Sequence, residues 1–149
     1  MRIYLDTCCY NRPFDECVQS KVQMEAIAVK AIVNFCKYFE YDIVGSHAVT
    51  EEIKKIRDGK RLKNVQKFYT DAVNKHSNMS DDIDNRVQEL KTHGLTGLDH
   101  YHLAFAEAAG VNFLLTTDDR FIKKCERLNS TVKVVNPLNF LPEVMVWAL

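Results

Sequence analysis

Apolar and polar positions change their period several times along the chain, and each change marks a predicted element. Arg2–Leu5 is a short β-favouring run that ends at Asp6. The next stretch, TCCYNRPFDE, has a loop composition, and Pro13 argues against helix before Phe14. Val22, Ala26, Val29, Val33 and Cys36 then recur at helical spacing, which predicts a long amphipathic helix from Glu16 to Phe39 over one face of a sheet. Tyr41 to Ser46 reads as a second strand. In HAVTEEIKKIRDGK, Val49, Ile53 and Ile56 line a helical face, Glu52 lies early, and Gly59 is the expected stop. Leu62, Val65, Phe68, Tyr69 and Ala72 predict a further helix between Lys60 and Asn74. A loop around His76 to Ser80 then leads into a helix capped by Ser80, with Asp81 and Asp82 in its first turn and Ile83, Val87 and Leu90 on its apolar face.

The segment Gly94 to Phe121 organises the rest. Leu98, His102, Ala106 and Ala109 form a helical stripe that places Asp99 in the first turn, and Gly110 stops that helix. Val111 to Thr117 is short, apolar and bounded by a glycine and an acidic pair, as a strand buried on both faces would be. Asp118 then sits just past the strand's carboxyl end, the edge at which open parallel sheets bind ligands. Phe121 to Leu128 reads as helix, Val132 to Val135 as a last strand, and Asn136-Pro137 as a turn before the apolar ending LPEVMVWAL. Strands alternating with helices imply an α/β fold, a three-layer α/β/α sandwich with a mainly parallel central sheet. At 149 residues it is most simply a single domain, 1–149.

Charge and cysteine content narrow the classes. Twenty basic and 20 acidic residues cancel, so any nucleic-acid surface has to be local. Five cysteines, Cys8, Cys9, Cys17, Cys36 and Cys125, form an odd set without C-x-x-C spacing, which argues against a disulfide framework and a zinc site and for reduced thiols in a cytoplasmic protein. The start MRIYLD and the lack of any long apolar run indicate neither export nor membrane insertion.

The acids carry the candidate chemistry. Asp6, Asp99 and Asp118 each end a strand or open a helix on one sheet edge, and Glu52 can reach it from the helix after the second strand. Carboxylates gathered this way repel unless a cation lies among them, and oxygen ligands suit a hard divalent ion, Mg²⁺ or Mn²⁺. Such ions activate water and neutralise charge on phosphoryl groups, which makes metal-dependent phosphodiester hydrolysis the leading reaction class. The plainer alternative is that Asp6 and Asp118 only cap helices.

These residues also carry a resemblance. MRIYLDT, SHAVTEEI, GLTGLDHYHLAFA and FLLTTDDRF stand in the order and approximate spacing of the PIN-domain family, small metal-dependent ribonucleases common among toxins of prokaryotic toxin–antitoxin pairs. The resemblance spans essentially the whole chain. It implies Asp6, Glu52, Asp99 and Asp118 as catalytic and metal-binding acids, with Asp119 assisting and with Thr7 and Thr116 as supporting hydroxyls. It further implies an endoribonuclease that uses water as nucleophile and leaves a 5′-phosphate and a 3′-hydroxyl, with RNA, an antitoxin protein and a second copy of the chain as partners. Glu51 adjoins Glu52; Glu52 is preferred because the apolar Ile53 follows it. DTCCYNRPFDE departs from the commoner toxin pattern after the first acid, so Asn11 and Arg12 are either RNA contacts or simple turn formers.

Other features have bland explanations beside functional ones. Lys54, Lys55, Arg57, Lys60, Arg61, Lys63 and Lys67 form the strongest basic patch, either a phosphate-tracking surface or a solvated face. His102 lies on the apolar stripe and reads as a packing residue with one hydrogen bond, not as a ligand or base. Cys8 and Cys9 read as small packing residues, since thiols are soft ligands. The apolar tail Val144–Leu149, together with Met24, Ile27, Ala31 and Phe35 on a second face of the long helix, suggests a homodimer or a groove for an antitoxin helix; docking of the tail on its own domain is the alternative. Rival functions are a catalytically silent PIN-like module that binds RNA or protein, an α/β phosphatase, for which Thr7-Cys8 breaks the required D-x-D pair, and a phospho-acceptor domain, for which the lysine near the last strand is missing.

Overall fold

The computed structural model describes residues 1–16 and 18–147, with side chains through Glu143 except at Cys17. Five strands, β1 (Arg2–Leu5), β2 (Asp42–Ser46), β3 (Lys75–Ser77), β4 (Phe113–Leu115) and β5 (Lys133–Val135), form one sheet in the order β3-β2-β1-β4-β5. Every neighbouring pair is parallel, with Tyr4 opposite Val44 on one side and Leu114 on the other. Parallel strands covered on both faces need continuous apolar runs, and Ile3, Tyr4, Leu5 and Phe113–Leu115 supply them, all buried.

Helices α2 (Ser20–Tyr38), α4 (Gly59–Ala72) and α8 (Pro137–Trp147) cover one face. The other is covered by α5 (Asp81–Thr92), α6 (Asp99–Ala108) and α7 (Asp119–Glu126), giving the three-layer α/β/α sandwich. Chain direction across the sheet reverses between β1 and β4, so the carboxyl ends of these two strands flank the topological switch point. Among the described residues no helix is long and apolar enough to cross a membrane, and Cys8, Cys9, Cys36 and Cys125 are free thiols.

Several boundaries differ from the expectations. Pro13 does not keep the preceding segment out of helix: α1 spans Thr7–Asn11 and runs into a 3₁₀ turn, Arg12–Phe14, whose opening positions tolerate a residue without an N–H. The long helix begins at Ser20, not Glu16. Gly59 stops nothing, because α3 (His47–Lys54) has already ended and Gly59 opens α4 behind Asp58, whose side chain caps Lys60 and Arg61 N–H. The expected loop at His76 contains edge strand β3, polar because only one of its sides is paired. Asn136-Pro137 opens a helix instead of a turn, with Asn136 accepting from Leu138 N–H.

Candidate metal and catalytic site

Four elements deliver polar groups to the switch point. β1 ends at Asp6, which is 7% exposed and begins α1 without using its side chain as a cap. Its Oδ2 accepts from Thr116 Oγ1 at 2.8 Å and from Cys8 Sγ at 3.3 Å. Asp6 is therefore held by side chains aimed at it and is not consumed by its own helix. Thr116 also receives Asp118 N–H at 3.1 Å, so one hydroxyl joins the loops after β1 and β4.

β2 ends at Ser46, whose hydroxyl caps α3 by accepting from Val49 N–H at 3.2 Å. This fixes the phase of α3: Ile53 points into the core, Glu52 into the site and Glu51 outward to Lys54 at 3.1 Å. Glu52 Oε1 accepts from Thr7 Oγ1 at 2.9 Å. Burial alone would push its carboxyl up, but hydrogen bonds from His102 and Thr7 and the nearby imidazole hold it below the ordinary range.

Asp99 opens α6, near enough to Asp6 and Asp118 to feel their charges but outside the group that Asp6, Glu52 and His102 form. Burial, then the charges of Asp6 and Asp118, push its carboxyl up to about 6. Asp118 caps α7 through Oδ1, which accepts from Arg120 and Phe121 N–H at 3.0 and 3.2 Å. The capping alternative thus describes one oxygen of Asp118 and leaves the other out of those bonds. Asp119 instead pairs at the surface with Lys21, 3.2 Å away.

The residue that sequence reasoning misjudged is His102. It is 1% exposed, and its Nε2 contacts Glu52 Oε1 in a short hydrogen bond and lies 3.2 Å from Asp6 Oδ1. On the other side of the ring, Nδ1 lies 2.7 Å from the Tyr4 hydroxyl. Burial disfavours its cation, yet Asp6, Glu52 and Asp99 outweigh that and raise its pKa. Asp6, Glu52 and His102 each offer a donor atom within 4.8 Å of the other two. The apolar stripe concealed this role, because the end of α6 that meets the sheet edge turns the same face toward carboxylates. Cys8 is likewise more than packing: half-buried, it touches Asp6 and lies 3.4 Å from Thr116 Oγ1.

The proposed RNA contacts divide. Arg12 is bound to Asp15 at 2.9 Å, to Thr117 Oγ1 at 2.9 Å and to buried Glu25 at 3.5 Å. Arg61 bonds Asn11 Oδ1 at 3.1 Å, Phe14 O at 2.9 Å and the Asp15 carboxylate, while Asn11 also donates to Thr7 O. Asn11, Arg12 and Arg61 therefore fasten the segment after Asp6. Lys67 pairs with Asp71 and Lys54 with Glu51, whereas Lys55, Arg57, Lys60 and Lys63 are exposed.

No protein-family model matches the sequence, and no curated protein is detectably similar to it. Among solved structures the chain is similar to PAE2754 from Pyrobaculum aerophilum, at 14% identity over 98% of this chain and 90% of that one, with a TM-score of 0.59. It is also similar to FitAB in a structure bound to an IR36 DNA fragment, at 17% identity over 91% of this chain and 94% of that one, with a TM-score of 0.60. At such identities the likeness speaks for the fold, and it supports a PIN-like one.

Proposed function

We propose that this PIN-like domain is a divalent-cation-dependent endoribonuclease of the toxin type. The observation that supports the reading is the grouping of Asp6 and Glu52 with His102, donor atoms within 4.8 Å of one another, beside an Asp99 whose carboxyl is pushed up to about 6 by burial and then by the charges of Asp6 and Asp118. A carboxyl that neighbouring acids disfavour ionising, as Asp6 and Asp118 do Asp99, marks a place suited to a cation. The donor set fits Mg²⁺ or Mn²⁺, with Asp6, Glu52, Asp99 and Asp118 as the holding residues. Such an ion supplies charge neutralisation at a phosphodiester and acidifies a water nucleophile.

The chain's own residues do the rest. Thr116 and Thr7 donate to Asp6 and Glu52 and keep their oxygens turned into the site. Arg12 and Arg61 hold α1 and the 3₁₀ turn against the strand ends, and exposed Lys55, Arg57, Lys60 and Lys63 offer a path for a phosphate backbone. Partners in this reading are RNA, an antitoxin protein and a second copy of the chain, in a cytoplasmic setting. Incubation of the purified chain with single-stranded RNA and Mn²⁺ is expected to give fragments ending in 5′-phosphate and 3′-hydroxyl, and EDTA to stop the reaction. Cleavage that persists in EDTA would refute the reading.

One observation favours a second reading, a catalytically silent module: His102 Nε2 bonds Glu52 and lies 3.2 Å from Asp6, so an imidazolium there would neutralise both carboxylates without any metal. RNA that is bound but never cut, with any divalent ion supplied, would select it.

A further inference from the structure

We propose that His102 is a direct metal ligand through Nε2, that with Asp6 and Glu52 it makes a mixed carboxylate–imidazole site favouring a first-row transition ion over Mg²⁺, and that Tyr4 and Ser46 position it. The inference rests on the metal of the nuclease reading and is independent of what is cleaved.

Geometry supplies the first support. Asp6 Oδ1 and Glu52 Oε1 both face the same nitrogen, and the three donor atoms lie within 4.8 Å of one another. The far side of the ring supplies the second. A ligating imidazole needs its other nitrogen held, so that the tautomer and ring plane are fixed before the ion arrives. Tyr4 does this from the centre of the sheet. Its hydroxyl, wholly buried, lies 2.7 Å from His102 Nδ1 and 2.6 Å from Ser46 Oγ, and Ser46 is itself fixed by Val49 N–H. In the metal-free chain Nε2–H donates to Glu52; an ion taking the place of that proton would meet the Nε2 lone pair beside the two carboxylates, with Nδ1–H donating to Tyr4 and Tyr4 donating to Ser46. Nothing in simple core packing calls for this relay of hydroxyls ending at two acids.

Ligand chemistry supplies the selectivity. Mg²⁺ prefers oxygen and exchanges it for imidazole poorly, whereas affinity for nitrogen-containing sites rises from Mn²⁺ along the first transition row. A site with one imidazole therefore discriminates against Mg²⁺ in a way that an all-carboxylate site does not.

Pulsed electron paramagnetic resonance of Mn²⁺ bound to the full chain tests this without reference to activity. The expected result is a directly bonded ¹⁴N modulation in the wild type, absent in His102→Gln, together with a fall of about tenfold or more in the Mn²⁺ over Mg²⁺ preference of that variant in competition titrations. Tyr4→Phe keeps the buried ring and removes the hydroxyl. It should weaken Mn²⁺ about 10- to 100-fold and Mg²⁺ much less, whereas a merely structural loss would weaken both alike. A wild type without nitrogen modulation or without Mn²⁺ binding, or equal losses for the two ions in Tyr4→Phe, would overturn the proposal. Nitrogen-ligated Mn²⁺ in a chain that cuts no RNA would retire the nuclease reading and uphold this one. Metal-dependent cleavage without nitrogen modulation would do the reverse.

Discussion

Asp99 carries a carboxyl pushed up to about 6, so in the absence of metal the fold favours its protonated form. The stabilising contribution of that form is complete below the unfolded value near pH 4 and is lost as pH rises through 6, leaving a charge that is poorly hydrated and repelled by Asp6 and Asp118. Asp99→Asn removes the ionisation, and metal-free melts should show the variant more stable than the wild type at pH 7.5, by roughly 1–2 kcal/mol after allowance for screening at this half-buried carboxyl. The advantage should vanish below pH 4; a pH-independent difference would contradict the electrostatic origin. At this scale the places of Asp6, Asp99 and Asp118 were legible because each stands at an element boundary that the sequence marks, whereas Glu52 lies inside α3. Glu52 could be preferred over Glu51 from its apolar neighbour, and the phase of α3 turns the two apart in the same sense. His102 was not legible. Periodicity says which face of a helix is buried, but not that one turn of that face abuts carboxylates instead of Leu or Val. Likewise, Arg12 and Arg61 look like surface cations until Asp15, Glu25 and Thr117 are placed around them.

Among the elements, β2 sets the position of Glu52 and depends on a close approach. A Cβ on Gly45 would run into the Tyr69 ring of α4, with Cζ at 2.8 Å and Val73 Cγ1 at 3.0 Å. Gly45→Ala should therefore cost about 1–3 kcal/mol in denaturant melts, and less in a Tyr69→Leu background, where the blocking ring is gone. An unchanged cost would show that the ring gives way freely. The basic elements separate by a second measurement. Replacing Lys55 and Lys60 together by Ala should weaken RNA binding and flatten its salt dependence while leaving the melt unchanged, because both side chains are exposed. Arg61→Ala should instead lower the melting temperature, since its guanidinium ties α4 to Asn11, Phe14 and Asp15. The opposite pattern would restore Arg61 as an RNA contact. The central elements could be read because strands buried on both faces are unbroken apolar runs; β3 and α1 could not. A three-residue polar edge strand has no period to detect, and α1 is held as much by Asp6, Arg61 and the strand ends as by its own sequence.

For the whole molecule, the ending after Pro137 packs at least its first turns on its own domain, with Phe140 fully buried against the Phe113 ring. The tail expectation for Val144 to Leu149 falls outside the described side chains. Met24 and Ile27 on α2 are 55% and 62% exposed, and the dimer expected from that face should appear as a dimer in sedimentation that Met24→Glu with Ile27→Glu converts to monomer. A wild-type monomer at high micromolar concentration would end that expectation. Whether the acids at the switch point cut RNA is decided by comparing cleavage by wild type and Asp6→Asn side by side in Mn²⁺. Asp6 touches Thr116, Cys8 and His102 and faces Asp99, so the amide should abolish cutting while the metal-free fold melts at or above the wild-type temperature. Cleavage by Asp6→Asn at the wild-type rate would contradict the account.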